Sequence, residues 1–106
     1  MGRDTLGQFE QLVLLAILQL SDGAYAVPIV REIEARTGRT VAHAAVYVAL
    51  KRLGARGMVS STLGKPTAEQ GGRAKRFYRV EPEALRRLNH ERVALLAMWD
   101  GLEQTP

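Results

Sequence analysis

Leu6, Phe9, Leu12, Val13, Ala16, Ile17 and Leu20 recur every three or four positions, which lines one face of a helix. Thr5 and Gln8 stand at capping-box spacing and predict a helix start near Leu6. Ser21-Asp22-Gly23 predicts the stop. A second helix is predicted from Val27 or Pro28, proline being favoured in a first turn that needs no donor. Val30 and Ile33 face inward, Arg31, Glu32 and Glu34 face water, and Thr37-Gly38 ends the helix. A third helix is predicted from about Ala42 to Arg56 with Gly57 as its cap. Its buried stripe is Val46, Ala49, Leu50 and Leu53. The opposite face centres on Ala44, Val48, Lys51 and Ala55, with His43 and Tyr47 on one flank and Arg52 on the other.

The period changes after Gly57. Met58 to Leu63 is short and rich in valine, serine and threonine, and reads as a strand. Gly64 to Gly72, with Pro66 and the Gly71-Gly72 pair, reads as a loop. Ala74 to Val80 reads as the return strand of a hairpin with a long tip. A fourth helix is predicted from Pro82 to about Leu102, a span of roughly 31 Å. Leu85, Leu88, Arg92, Leu95, Trp99 and Leu102 fit a heptad seam along it, and Leu96 widens the stripe. So much apolar surface on one long helix predicts packing against a second chain.

Length and composition narrow the class. The chain has 106 residues, enough for one domain with a single core. Cysteine is absent, which removes disulfides and thiol chemistry and fits a cytoplasmic location. There is no run of eighteen apolar residues, so no membrane span is expected. Charge adds more. The net charge of +4 hides a split, because ten basic residues and a single acid lie between Arg36 and Arg79. The flanking segments carry five basic residues and ten acids. One sign of charge gathered in one folded segment points to a polyanionic partner, most commonly nucleic acid.

Three helices followed by a basic hairpin is the order of a winged helix-turn-helix, in which the third helix enters the major groove and the hairpin grips the adjoining backbone or minor groove. The expected fold is mainly α with a small β-hairpin: a winged helix-turn-helix over residues 1–80, then a C-terminal dimerisation helix over residues 81–106 in the same compact unit. The charge map agrees, since the third helix and the hairpin lie inside the basic segment.

Three stretches also resemble one family. Leu6-Gly7-Gln8-Phe9-Glu10 with Val13-Leu14-Leu15-Ala16-Ile17-Leu18 is similar to the opening of PadR-family transcriptional regulators. So are Tyr47-Val48-Ala49-Leu50-Lys51-Arg52-Leu53 with Gly57-Met58-Val59, and Gly71-Gly72-Arg73-Ala74-Lys75-Arg76-Phe77-Tyr78-Arg79-Val80. The resemblance covers nearly the whole chain and looks like the small subgroup. It implies a dimeric winged-helix repressor joined through its last helix. It also implies a flat aromatic effector bound between subunits near an aromatic residue of that helix, here Trp99.

On this reading Tyr47 presents its hydroxyl to a phosphate, Lys51 is the central phosphate ligand and Arg52 flanks it. His43 reaches a phosphate or base edge from the helix start. Ala44 and Val48 offer only apolar contact to thymine methyls, so specificity rests on DNA shape and dimer spacing more than on base hydrogen bonds. The helix start Val41-Ala42-His43 lacks a capping Ser or Thr, leaving backbone donors to face a phosphate. In the wing, Lys65, Arg73, Lys75 and Arg76 are the expected backbone or minor-groove contacts, but Lys75 cannot share a strand face with both neighbours. Phe77 and Tyr78 are expected to pack against the helices. Trp99 is expected to anchor the dimer.

No nucleophile–histidine–carboxylate spacing, HExxH, GxSxG or P-loop is present, so neither catalysis nor a cofactor is expected. With His43 and His90 far apart and no cysteine, no metal is expected either. The competing reading is a winged helix whose basic face binds an acidic protein in place of double-stranded DNA.

Overall fold

The computed structural model describes residues 5–64 and 74–102. Its elements are α1 (Gln8–Leu20), a 3-10 turn (Ser21–Gly23), α2 (Ala26–Thr37), α3 (His43–Ala55), β1 (Val59–Leu63), β2 (Arg76–Val80) and α4 (Pro82–Trp99). Among the described residues the architecture is four helices and one two-stranded antiparallel hairpin, as the hydrophobic pattern predicts.

The helix ends show what local chemistry decided. α1 starts later than Leu6, and its cap is not the Thr5–Gln8 pair. Leu6 is buried in the core, and the Gly7 N–H donates to Glu10 Oε1 at 3.0 Å. Glu10 thus supplies the carboxylate half of a capping box two residues further on. α2 begins at Ala26, so Pro28 falls inside the first turn, where a missing N–H costs nothing. α3 ends in a Schellman motif, with Met58 N–H on Leu53 O at 2.8 Å and Gly57 N–H on Gly54 O at 3.1 Å. Gly57 has φ +74°, which glycine adopts without a Cβ clash. α4 stops at Trp99 and not near Leu102, because Gly101 at φ +87° turns the chain out of the helix.

Val13, Leu14, Ala16 and Ile17 of α1, Ile29, Val30 and Ile33 of α2, and Val46, Ala49, Leu50 and Leu53 of α3 form one core. The predicted α3 stripe is buried in full. Met58 and Val59 close the core beneath the hairpin, and Ala84 and Leu88 of α4 complete it. The Glu81 N–H donates to Met58 O at 2.9 Å and ties the entry of α4 to the end of α3.

Beyond Leu88, the rest of α4 leaves the core. From Asn89 to Leu102 only Glu91 is even half-buried. Of the predicted seam the chain's own core takes Leu88 and leaves Leu85, Leu95, Leu96 and Trp99 uncovered. Leu102 lies past the helix end, so it does not continue the heptad seam.

The hairpin pairs Val59 with Val80, Ser61 with Tyr78 and Leu63 with Arg76, alternating with Ser60–Arg79 and Thr62–Phe77. Alternation of strand side chains sorts these into two faces. Val59, Ser61, Arg76 and Tyr78 share one face, and Ser60, Thr62, Phe77 and Arg79 the other.

Candidate nucleic-acid interface

α3 is held by what precedes it. Glu34, expected to face only water, turns its Oε2 to accept the Val41 N–H at 2.9 Å. Thr37 Oγ1 donates to Ile33 O at 2.7 Å and accepts the Arg39 N–H at 3.2 Å. These bonds fix the α2–α3 turn, and with it the angle at which α3 leaves the core. Ala42 is the N-cap and supplies no side-chain cap, as the sequence indicates. His43 lies exposed in the first turn.

The exposed side of α3 divides into two grooves. Tyr47, Lys51, Gly54 and Ala55 form one wall of a cleft of about 500 Å³, with Leu50 and Val59 as its floor. Ser61, Arg76 and Tyr78 of the hairpin form the opposite wall. Arg76 Nη1 donates to Ser61 Oγ at 2.9 Å across the two strands, which steadies the guanidinium. Burial pushes the Tyr78 phenol above its ordinary value, the nearby Arg76 charge opposes this, and Tyr47 adds to the rise. The phenol therefore stays protonated and able to donate. Two cations and two phenols line one cleft that has an apolar floor.

Ala44, Val48 and Arg52 lie on the other side of the same helix, in a groove with Gly7, Gln8, Phe9 and Glu10 of the α1 start. Tyr47 and Val48 are exposed at 56% and 50%, unusually high for large apolar or aromatic side chains on a central helix.

The charges sort in the same way. Arg36, unassigned from sequence, pairs with Glu32. Arg56 reaches Glu10 at 3.2 Å and Thr5 O at 3.0 Å, tying the end of α3 to the start of α1. Both are structural. Among the described residues Lys51, Arg52, Arg76 and Arg79 form no ion pair.

The family model for PadR-like transcriptional regulators matches residues 14–90, a span that includes α3 and the hairpin. The chain belongs to the PadR-like family of transcriptional regulators. Family membership makes it a transcriptional regulator and not an enzyme. Similar solved structures include a PadR family transcriptional regulator from Eggerthella lenta, with 25% identity over 87% of this chain and 78% of that one, at TM-score 0.68. A PadR-like transcriptional regulator from Bacillus cereus has 17% identity over 92% and 93% of the two chains, at TM-score 0.70. A transcriptional regulator from Clostridium thermocellum has 20% identity over 85% and 84%, also at TM-score 0.70. These last two share the fold. No curated protein sequence matches the chain. Among the described residues no helix is long and apolar enough to cross a membrane.

Of the interface residues read from the PadR-like sequence, the structure gathers Tyr47, Lys51 and Arg76 in one cleft. It separates Ala44, Val48 and Arg52 into the neighbouring groove. Lys65 and Arg73, with Gly71 and Gly72, lie outside the described residues. Lys75 precedes β2 and stacks its ammonium over the Tyr25 ring, 4.0 Å from the centroid. Sequence reasoning missed Ser61 and Glu34, because each acts through a partner that only the folded chain brings near.

Of the residues read as a dimer surface, Leu85, Leu95, Leu96 and Trp99 are exposed. Arg92 is also exposed, with Nη2 donating to Asn89 Oδ1 at 2.8 Å. Leu88 belongs to the chain's own core. Sequence reasoning also missed Leu15 and Leu18, which the structure leaves exposed on the outer side of α1.

Proposed function

We propose that this PadR-like regulator binds double-stranded DNA as a homodimer and acts as a repressor in the cytoplasm. α3 enters the major groove and the basic hairpin lies on the adjoining backbone or minor groove. The DNA-binding unit falls within residues 1–80, and α4 (Pro82–Trp99), within residues 81–106, is the dimerisation helix. The observation that carries the reading is the cleft between α3 and β2, with Lys51, Arg76, Tyr47 and Tyr78 on its walls. Charge-assisted bonds from Lys51 and Arg76, with phenol hydroxyls beside them, suit a backbone phosphate. His43 and the uncapped N–H groups at the start of α3 offer further phosphate contacts, and Arg52 extends the positive surface past the cleft. Ala44 and Val48 supply apolar contact in the groove, so sequence discrimination falls mainly on shape and half-site spacing.

Exposure supports a dimer surface on α4. Leu95, Leu96 and Trp99, with Leu85 and Arg92, lie along one side of α4, while Val93 and Met98 extend the apolar surface around roughly 220° of the helix. A single flat helix contact covers less than that, so the end of α4 fits a groove in the partner better than a simple helix pair. Leu15 and Leu18 of α1 add apolar surface for such a groove. A small aromatic effector stacking on Trp99 at this interface would couple to the spacing of the two reading helices.

The test is binding to duplex selected from a random pool, followed by fluorescence anisotropy. With six or more phosphates neutralised, affinity should fall about a thousandfold or more between about 50 and 200 mM salt. A shallow salt slope with every duplex would overturn the DNA reading in favour of an acidic protein partner. Lys51→Ala should weaken binding to all sequences alike and lower the salt slope by about one per site. An unchanged slope would remove Lys51 from the contact set.

A further inference from the structure

The loop-side half of the hairpin is held on the side away from α3. Tyr25, just before α2, meets the Phe77 ring edge-on, with centroids 5.3 Å apart and planes at 67°. The Lys75 ammonium sits over the same Tyr25 ring at 4.0 Å. The Tyr78 N–H donates to Ala24 O at 2.8 Å, so the turn before α2 acts as a short third edge to β2. Opposite, the Gly64 N–H donates to Lys75 O at 2.7 Å, and a Cβ on Gly64 would come within 2.8 Å of Phe77 Cε1. The Phe77 ring therefore occupies the space a side chain at position 64 would need, and lies between that glycine and Tyr25.

We infer that Tyr25 is a positioning residue for the wing, setting the direction of the hairpin through Phe77 and Lys75 without itself needing to touch nucleic acid. The inference rests on the DNA-binding reading above. Three contacts of different chemistry converge on the Ala24–Tyr25 step: an aromatic edge, a cation over a ring face, and a backbone hydrogen bond. Each depends on angle, so together they oppose rocking of the hairpin about its junction with the core. Arg76 and Arg79 leave this anchored strand on opposite faces. A hairpin that rocks would move Arg76 relative to Lys51 and open the cleft. The Lys75 charge remains in place and adds to the positive field, but its orientation is used within the chain.

The test uses the full chain and a labelled mixed-sequence duplex of about 30 base pairs at about 50 mM salt. Tyr25→Leu should weaken binding about fivefold, the scale of one aromatic pair and one cation–ring contact. It should also speed amide exchange at Tyr78 while leaving Val46 and Leu50 in α3 protected. Tyr25→Phe keeps the ring and should restore both. In the wild type the Lys75 side-chain protons next to the ammonium should resonate upfield from the Tyr25 ring current, and Tyr25→Leu should abolish that shift. Lys75→Gln tests the pair independently: in that background Tyr25→Leu should cost less than it does alone.

Wild-type affinity and wild-type Tyr78 exchange in folded Tyr25→Leu would overturn the inference. So would failure of Tyr25→Phe to restore them. A wild type that binds no duplex would instead remove the DNA reading. The exchange and ring-current measurements, which need no DNA, would still decide whether Tyr25 orders the hairpin.

Discussion

Ser21 carries backbone strain of a kind glycine would not. Its φ of 56° and ψ of −117° close α1 into the 3-10 turn, and its N–H still reaches Ile17 O. An L-residue there costs about 1–3 kcal/mol, and glycine returns part of that through greater unfolded entropy. Ser21→Gly should therefore raise stability by about 1 kcal/mol, seen as a higher urea midpoint with unchanged slope; a lower midpoint would show that the Ser21 side chain contributes more than its backbone costs. At Tyr78 the variable is pH. Its folded pKa lies above the ordinary 10.0, mainly through burial. The native state then holds the phenol proton more tightly than the unfolded chain does. That contribution is intact below about pH 10 and disappears as pH rises through the folded value. Tyr78→Phe should flatten the alkaline loss of stability in unfolding curves from about pH 9 upward. Equal slopes for variant and wild type would show that burial of this phenol has no such effect.

At the scale of elements, the joints matter more than the segments. Periodicity alone marks α3 and its buried stripe, because a helix repeats over positions three and four apart. The angle of α3 rests instead on the Glu34 bond to the Val41 N–H, seven residues along the chain. No local pattern distinguishes that carboxylate from a solvated one. Glu34→Ala should cost about 1–2 kcal/mol of stability through an unmet backbone donor. It should also weaken DNA binding further than unfolding explains, because α3 loses its fixed entry. Affinity measured well below the melting temperature, with amide exchange at Val41, checks this. Full affinity alongside rapid Val41 exchange would show that the turn does not steer α3. The hairpin teaches the same lesson. Its strands are legible in the sequence, but only the register places Ser61 and Tyr78 opposite each other and gives Arg76 its hydroxyl partner.

Across the whole molecule, α4 does two jobs in sequence. Its first turns complete the protomer core through Ala84 and Leu88, and its second half presents Leu95, Leu96 and Trp99 outward. The seam read from sequence treats Leu88 and Leu95 as equivalent, and the fold separates them. Leu88→Ala should lower protomer stability by about 2–5 kcal/mol, the cost of a core truncation. Leu95→Glu with Leu96→Glu should leave helicity and protomer unfolding nearly unchanged while halving the mass found by light scattering. A wild type that runs as a monomer, or a charged variant that stays dimeric, would place the dimer surface elsewhere. The arrangement also explains the split of charge. Among the described residues Lys51, Arg52, Arg76 and Arg79, on α3 and the hairpin, form no ion pair, and Glu10 and Glu83 on the outer helices are taken up by arginines of the same chain.

The sequence by itself determined the order of elements, the buried stripe of each helix and the sign of the central segment. These follow from side chains a few residues apart and from simple charge. The tertiary structure decided which cations are available and which are already neutralised. Arg56 lies within the basic segment, yet it is paired with Glu10 across 46 residues of chain. It also decided which strand face Arg76 occupies relative to Lys51, and where the chain's own core ends along α4. Contacts between distant residues depend on how whole elements pack, and periodicity within one element does not encode them.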